Sequence, residues 1–235
     1  MKFDAPLVPG TLIRRYKRFL ADIRLDDGRL VTAHCPNPGS MKTCATPGWR
    51  VYVSSSDNPR RKLQWTWELA YDDDDHPLLI HTGRGNRIVE DGIRNQRIPS
   101  LRGYSTIQRE VSYGKERSRI DLLLSEENRP HCYVEVKNVT MLASQGTAAF
   151  PDSVTKRGTK HLRELMAMVE EGHRAALVFL VPRGGISTVR PADEIDPVYG
   201  QTLRAAKDRG VEIVAHSATI TTAEITLGAA VPIRL

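Results

Sequence analysis

Short apolar stretches separated by turn sequences make up residues 11–82. Several stretches alternate apolar and polar positions with a period of two and are rich in β-branched and aromatic residues, which predicts strands. Turn sequences such as Asp26-Asp27-Gly28 and Pro47-Gly48 separate them. Because short strands in an open sheet leave unpaired edges, we expect them to close, fully or partly, into a small OB-like barrel. The predicted strands are Leu12–Ile13, Phe19–Leu25, Leu30–Ala33, Trp49–Val53, Leu63–Tyr71 and Leu78–His81.

After residue 83 the pattern changes to alternating helices and strands. Three successive strand patterns lie close enough together for an antiparallel meander, and amphipathic helical patterns separate the later strands. The order α-β-β-β-α-β-α-β predicts an α/β sheet covered by helices. We therefore predict two domains, a barrel over 1–83 and an α/β domain over 84–235. The predicted elements are helix Asn86–Ile98, strands Thr106–Tyr113, Arg119–Leu124 and Cys132–Lys137, helix Thr155–Glu171, strand Ala175–Val181, helix Pro197–Arg209 and strand Val211–Ala215.

The composition of the 235-residue chain is that of an ordinary globular protein and excludes collagen-like, disulfide-scaffold and wholly disordered chains. Lys and Arg number 34 against 28 Asp and Glu, and the net charge of +6 suits a polyanion-binding protein but is also common elsewhere. No stretch approaches the roughly 18 apolar residues of a membrane span, and residues 1–10 lack a signal-peptide pattern. We expect a cytoplasmic protein without a membrane partner, with Cys35, Cys44 and Cys132 as reduced thiols.

Two consecutive predicted strands carry charged side chains among apolar neighbours. Asp121 is the one acidic residue of its strand, whereas Glu135 and Lys137 stand two residues apart on the next strand and project from one face. Such charges are costly to bury unless they are paired or bound to an ion. If the strands are neighbours, the two carboxylates can attract a hard divalent cation, and Lys137 can orient a water or offset charge on a phosphate. A purely structural ion pair is the alternative.

The spacing of these residues, an Asp and then Glu-x-Lys after thirteen intervening residues, resembles the active-site signature of the PD-(D/E)xK phosphodiesterase superfamily. The predicted order of helices and strands is also similar to that fold. The resemblance implies a further carboxylate on the first helix, for which Glu90 is the candidate ahead of Asp91. It also implies a polar or basic residue on the later helix, which corresponds to Lys160. A plain helix-surface charge remains the alternative for Glu90.

Longer segments in order along nearly the whole chain resemble the sugar fermentation stimulation protein A family. The resemblance implies an N-terminal OB-like domain, a C-terminal PD-(D/E)xK restriction-endonuclease-like domain, and DNA binding linked with the regulation of maltose and related sugar genes. The segments are Ala33–Asn37, Gly39–Met41, Ser56–Leu63, Asn86–Glu90, Ser118–Asp121, Tyr133–Thr140, Phe150–Thr155, Lys160–Leu165 and Pro191–Pro197.

For phosphodiester hydrolysis we expect Asp121, Glu135 and the Val136 carbonyl to hold a metal together with waters. Such a metal polarises a phosphoryl oxygen and lowers the pKa of a bound water. All-oxygen ligation favours Mg²⁺ or Mn²⁺ over zinc. A zinc site at His34, Cys35 and Cys44 is disfavoured, because the sequence has no Cys-x-x-Cys pair and no obvious fourth ligand there.

Clusters of basic residues in the barrel and at the start of the second domain could follow a phosphate backbone. Trp65 and Trp67 share one strand face, which is either barrel core or a base-stacking platform, with core favoured. No helix-turn-helix recognition helix is apparent. The candidate DNA-binding residues are Arg14, Arg15, Lys17, Arg18, Arg60, Arg61, Lys62, Arg84 and Arg87.

The resulting hypothesis is a two-domain DNA-binding protein that hydrolyses phosphodiesters with a divalent metal, using Asp121, Glu135, Lys137, Glu90 and Lys160. A non-enzymatic DNA-binding regulator of sugar genes, which keeps the nuclease fold as a scaffold, is the main alternative. A protein of sugar metabolism without a DNA role is a third. DNA is the expected partner, and a homodimer is left open.

Overall fold

The N-terminal part of the chain folds into a closed barrel. In the computed structural model, which describes residues 1–235, one six-stranded sheet has the order β3-β2-β1-β4-β5-β6. A parallel pairing of β3 with β5 joins the ends of the first five strands and closes the barrel, as predicted for an OB-like domain. The strands are β1 (Val8–Tyr16), β2 (Leu20–Leu25), β3 (Leu30–His34), β4 (Arg50–Ser55), β5 (Trp65–Tyr71) and β6 (Pro77–Leu79).

Large apolar side chains fill the barrel. Trp67 is fully buried there with Leu12, Ile23 and Val51, and its indole N–H donates to the Leu69 carbonyl at 2.9 Å. Trp65 is half-buried against the same cluster. The tryptophan face of β5 therefore belongs to the core of the barrel.

The C-terminal part is a mixed sheet between helices. Its main sheet has the order β15-β14-β12-β9-β8-β7, in which β7, β8 and β9 form the predicted antiparallel meander and β9, β12 and β14 are parallel. A second sheet has the order β10-β11-β13. The elements are α1 (Gly85–Arg94), β7 (Thr106–Tyr113), β8 (Ser118–Glu126), β9 (Arg129–Asn138), β10 (Met141–Ser144), β11 (Thr147–Phe150), α2 (Lys156–Glu170), β12 (Arg174–Val181), β13 (Thr188–Pro191), α3 (Pro197–Asp208), β14 (Glu212–Ile220) and β15 (Ile225–Ala230).

Some of these elements differ from the prediction. α1 ends at Arg94 instead of Ile98, because Gln96 adopts a left-handed conformation and Ile98 is extended before Pro99. Strands β10, β11, β13 and β15 were not predicted. The first three contain four residues each, too few for a periodic pattern, and β15 contains glycine and alanine, which favour strands weakly.

The helices pack on both faces of the main sheet. On one face, Ile88 and Val89 of α1 are buried against Leu122 of β8 and Val134 of β9. On the other, α2 and α3 cover a second cluster of buried apolar residues. No helix is both long and apolar enough to cross a membrane.

The N-terminus and the barrel both reach into the core beneath α1. Met1 and Leu7 are buried there, and the Met1 amino group donates to the Ile225 carbonyl at 2.8 Å. Leu69 and Leu79, from the sheet of the barrel, belong to the same cluster. Residues 1–7 therefore contact the second domain, although the prediction assigns them to the barrel. The domain limits at 83/84 remain a prediction.

Candidate active site

The site begins where β8 and β9 separate. The two strands pair from Leu124 to Leu122 of β8, and the pairing stops one residue before Asp121. There the Asp121 side chain replaces the ladder, since its Oδ2 accepts a hydrogen bond from the Val136 N–H at 2.7 Å. Its Oδ1 accepts another from Asn86 Nδ2, in the first turn of α1, at 2.8 Å. Asp121 is thereby held between β9 and the start of α1.

Glu135 and Lys137 lie beside this point on β9. The Lys137 Nζ donates to Glu135 Oε1 at 2.6 Å, and the same oxygen contacts Nδ1 of His161 from α2. Glu135 and His161 are 2% and 4% exposed. The other carboxylate oxygen, Glu135 Oε2, is buried without a hydrogen-bond partner. The glutamate is therefore compensated at one oxygen only.

The pKa values of the two carboxylates are shifted in opposite directions. Burial, with the nearby charge of Glu135, raises the pKa of Asp121 to about 6. Burial also acts to raise the pKa of Glu135, but the hydrogen bond from His161 and the charge of Lys137 outweigh it and leave that pKa lowered. Tyr113, whose hydroxyl is buried and unpartnered, has its pKa raised by burial and by the Glu135 charge. The two carboxylates therefore repel each other, and this repulsion is one reason why the pKa of Asp121 is raised.

A cleft at the domain junction opens next to Lys137. Its volume is about 220 Å³, and it lies between the barrel loop Asn37–Gly39, the end of β9 and the segment around Phe150 and Asp152. The loop is held in place from both domains. The Arg15 guanidinium donates to the carbonyls of Asn37, Gly39 and Ser40 at 3.1–3.3 Å, and Asp152 Oδ2 accepts from the Ser40 N–H at 2.7 Å.

Two family models match consecutive parts of the chain. Residues 13–80 match the SfsA N-terminal OB domain, and residues 83–224 match the Sugar fermentation stimulation protein RE domain. The chain belongs to the sugar fermentation stimulation protein family. These matches bear out the predicted fold class, an OB domain followed by a restriction-endonuclease-like α/β domain.

Close relatives within the family match over the whole chain. A sugar fermentation stimulation protein homolog of Shewanella loihica is 52% identical over 235 residues, with 100% of both chains covered. One of Geobacter sulfurreducens is 55% identical over 233 residues, covering 99% of this chain and 98% of the relative. A solved structure of Pyrococcus furiosus SfsA in complex with Ca²⁺ has a TM-score of 0.88 and 27% identity, covering 100% of this chain and 98% of that one.

Within this family fold the two helix residues predicted for catalysis have other partners. Glu90 is bound by Arg94 at 2.8 Å and by Arg109, so the α1 side chain that reaches Asp121 is Asn86, one helical turn earlier. Lys160 donates to the Glu116 carbonyl at 2.5 Å. The next residue, His161, faces Glu135 instead.

The sequence does carry a signal for His161. Residues 161, 165 and 168 follow the i, i+4, i+7 spacing of the buried face of α2, and all three are buried. Lys160 is rotated by about 100° from that face, as any adjacent residue in a helix is. The phase of the apolar pattern, rather than the type of residue, therefore identifies which side chain of α2 reaches the site.

The predicted DNA-binding residues divide into engaged and free cations. Arg84 makes two hydrogen bonds of 2.6 Å with the buried Glu68, and Arg15 holds the barrel loop, so both have structural partners and we remove them from the proposed contact surface. Three others also have partners, although two of them are exposed: Arg14 pairs with Asp22, Arg18 donates to the Pro38 carbonyl and Arg61 to Thr66. The residues that are exposed and make no such bond are Lys17, Arg60, Lys62 and Arg87.

The residues of the disfavoured zinc site have apolar or backbone partners. The Cys35 thiol donates to the Met41 sulfur at 3.5 Å, and the Cys44 thiol to the Thr140 carbonyl at 3.3 Å. Burial raises the pKa of both thiols, whereas zinc binds the thiolate. These two cysteines therefore pack as core side chains at the edge of the barrel.

Proposed function

We propose that this protein is a divalent-metal-dependent phosphodiesterase that acts on DNA. The observation that supports the proposal is the convergence of Asp121 and Glu135 beside Lys137, at the point where β8 and β9 separate. The two buried carboxylates repel each other, and of their four oxygens Glu135 Oε2 alone has no partner, so a bound cation would stabilise the pair.

The donor set fits a hard cation. Glu135 Oε2 is buried and unpartnered, which leaves an oxygen free for ligation. No group of three or more His, Cys, Asp or Glu side chains is arranged to hold a metal, so the protein would supply Asp121, Glu135 and the Val136 carbonyl, and water and phosphate the rest. Mg²⁺ and Mn²⁺ accept such a set, because Mg²⁺ usually keeps several waters and binds one or two carboxylates. The Ca²⁺ complex of the Pyrococcus furiosus relative agrees with oxygen ligation.

A cation bound there would polarise a phosphoryl oxygen and lower the pKa of a water. The chain's own residues do the rest. Asn86 and the Val136 N–H orient the Asp121 carboxylate. His161 contacts Glu135 Oε1 from the side of α2, which fixes the glutamate rotamer. Lys137 lines the cleft and offers an ammonium to the charge that develops on the phosphate.

DNA is the proposed substrate because both domains carry exposed cations that have no partner in the protein. Lys17, Arg60 and Lys62 extend from the barrel, and Arg87 follows Asn86 on α1. None of the four is bound to a carboxylate, so they are available for backbone phosphates. A cytoplasmic location and a homodimer stay predictions.

The test is metal-dependent nicking of supercoiled plasmid DNA by the purified protein in Mg²⁺, Mn²⁺ or EDTA. We expect nicking with either metal and none with EDTA, and we expect Asp121→Asn to lower the rate by at least about 100-fold. Asp208→Asn, an exposed carboxylate on α3, is the control that should retain the rate. Tight DNA binding without nicking, unchanged by Asp121→Asn, would instead identify a non-enzymatic regulator.

A further inference from the structure

Two asparagines line the junction cleft, and each has one amide atom without a hydrogen-bond partner. Asn37, which is 3% exposed, accepts the Gly39 N–H at its Oδ1 at 2.9 Å, and its Nδ2 is buried without a partner. Asn138 donates from Nδ2 to the Thr82 carbonyl at 3.2 Å, and its Oδ1 is buried without a partner. The backbone partner of Asn37 is a donor, and that of Asn138 is an acceptor. These partners determine which atom of each amide is the oxygen and which is the nitrogen.

The two amides belong to one assembly. Thr82, whose carbonyl holds Asn138, also donates through its hydroxyl to the Pro36 carbonyl at 3.0 Å, and Pro36 directly precedes Asn37. The cleft therefore combines one unused donor and one unused acceptor. Buried polar atoms without partners are rare in native proteins, and two such atoms on residues that line a single cleft favour a ligand that pairs with both.

The rest of the lining indicates what kind of ligand that is. Met141, Ala149 and Phe150 supply apolar and aromatic surface, which suits a flat, apolar face. Asp152 adds a carboxylate to the lining, and its charge disfavours a phosphate inside the cleft. The volume of about 220 Å³ is below the roughly 300–1,000 Å³ of ordinary small-molecule sites, so the ligand is small.

We propose that the cleft receives one unstacked nucleobase of the DNA strand that is cut, with Asn37 Nδ2 and Asn138 Oδ1 pairing with an edge of the base. The inference rests on the proposed phosphodiesterase function and names its substrate as single-stranded or locally unpaired DNA. A duplex cannot place a base there, because its bases are paired and stacked inside the helix. Both amide atoms are shielded in the free protein, so pairing requires the two side chains to rotate towards the cleft.

The test measures binding in Ca²⁺ of a fluorescent single-stranded deoxyoligonucleotide of about 12 nucleotides, within the usual site size, and of the matching duplex. We expect the single strand to bind at least about tenfold more tightly than the duplex, since the duplex must first be unpaired. Replacing one nucleotide at a time by an abasic analogue should weaken binding about tenfold at one position near the cleavage point, and much less elsewhere.

The protein variant is Asn37→Ser, which removes the unpaired donor while its hydroxyl can still accept the Gly39 N–H. Asn95→Ser is the control, because Asn95 is an exposed asparagine after α1, outside the proposed contact surface, and bonds only the Asp91 carbonyl. Thermal melts show whether both variants are folded. We expect Asn37→Ser to weaken single-strand binding about tenfold, with no further loss at the sensitive abasic position, and Asn95→Ser to leave it unchanged.

The outcomes separate the base site from the phosphodiesterase. Metal-dependent cleavage of a duplex at a rate that Asn37→Ser leaves unchanged, with no abasic position sensitive, overturns the base site while the phosphodiesterase stands. Single-strand binding that depends on Asn37 and on one base, without cleavage in Mg²⁺ or Mn²⁺, supports the base site and overturns the phosphodiesterase.

Discussion

Two buried glutamates of the second domain are compensated in different ways. Glu90, 4% exposed, has both oxygens bound by guanidinium groups, those of Arg94 and Arg109, and its pKa is lowered in spite of its burial. Glu135, 2% exposed, has one oxygen bound and the other unpartnered, with Asp121 as a second carboxylate beside it. Burial alone therefore does not mark a site. The candidate site is distinguished instead by a buried carboxylate that lacks a partner at one oxygen and lies beside a second carboxylate.

The largest expected effect falls on chemistry at the uncompensated pair. Lys137→Met removes the ammonium from Glu135 and the cleft and should slow Mn²⁺-dependent cleavage of a labelled single strand by about 100- to 1,000-fold, the usual cost of losing a charge-stabilising donor. Single-turnover rates at saturating protein are the measurement. Arg94→Met, which removes a cation from Glu90 instead, is the control, and a loss as large as that of Lys137→Met would abolish the contrast between the two glutamates.

The compensated glutamate should matter for stability rather than for chemistry. Glu90→Gln breaks two ion pairs whose arginines are half-exposed, so we expect the free energy of unfolding to fall by about 1–2 kcal/mol, less than for a fully buried pair. Urea unfolding at neutral pH measures it. The cleavage rate of the folded variant should stay within about threefold of the parent, and a loss comparable to that of Lys137→Met would return Glu90 to the active site.

A smaller effect of opposite sign is expected for Asp121. A carboxyl whose folded pKa is raised to about 6 is penalised when it ionises, so its contribution to stability is lost as the pH rises from about 4 through 6. In EDTA at pH 7.5, the free energy of unfolding of Asp121→Asn should therefore be about 1 kcal/mol higher than that of the parent. The amide avoids the penalty but loses one accepted hydrogen bond.

The same pair of proteins tests the cation. In thermal melts, Mn²⁺ should raise the melting temperature of the parent and leave that of Asp121→Asn unchanged. The stability difference between the two proteins should then reverse or disappear. At pH 4 in EDTA the order should reverse, and the parent should be the more stable of the two by about 1 kcal/mol, because its protonated carboxyl avoids a penalty of about 1.4 kcal/mol per pKa unit. An Asp121→Asn variant that is less stable than the parent in EDTA at pH 7.5 would show that the carboxylate pair is already compensated.

The smallest effect concerns the cations of the barrel. Replacing Arg60 and Lys62 by Gln should lower the slope of log affinity against log salt by about one for each phosphate that the protein no longer neutralises. Arg204→Gln, which removes an arginine paired with Asp193, is the control and should leave the slope unchanged. Equal slopes for all three proteins would exclude the loop from the DNA surface.

Much of the fold follows from periodic patterns in the sequence. The barrel strands, the meander and the order of α2, β12, α3 and β14 are predicted from such patterns and are present in the structure, although β1 and β14 are longer than predicted. The strands that were missed are short or rich in glycine and alanine, and they form because neighbouring backbone is available for pairing. The end of α1 was overextended because its apolar pattern continues past the residue that leaves the helix.

The sequence by itself determined that Asp121, Glu135 and Lys137 stand on consecutive strands, because alternation along a strand assigns faces locally. Only the tertiary structure decided which helix residues join them, since Asn86 lies one turn before the predicted Glu90, and His161 differs from the predicted Lys160 by about 100° of helical phase. It alone also created the junction cleft, whose lining comes from segments near residues 37, 82, 138 and 150. Contacts between segments so far apart in the chain depend on how the two domains pack, which no local pattern encodes.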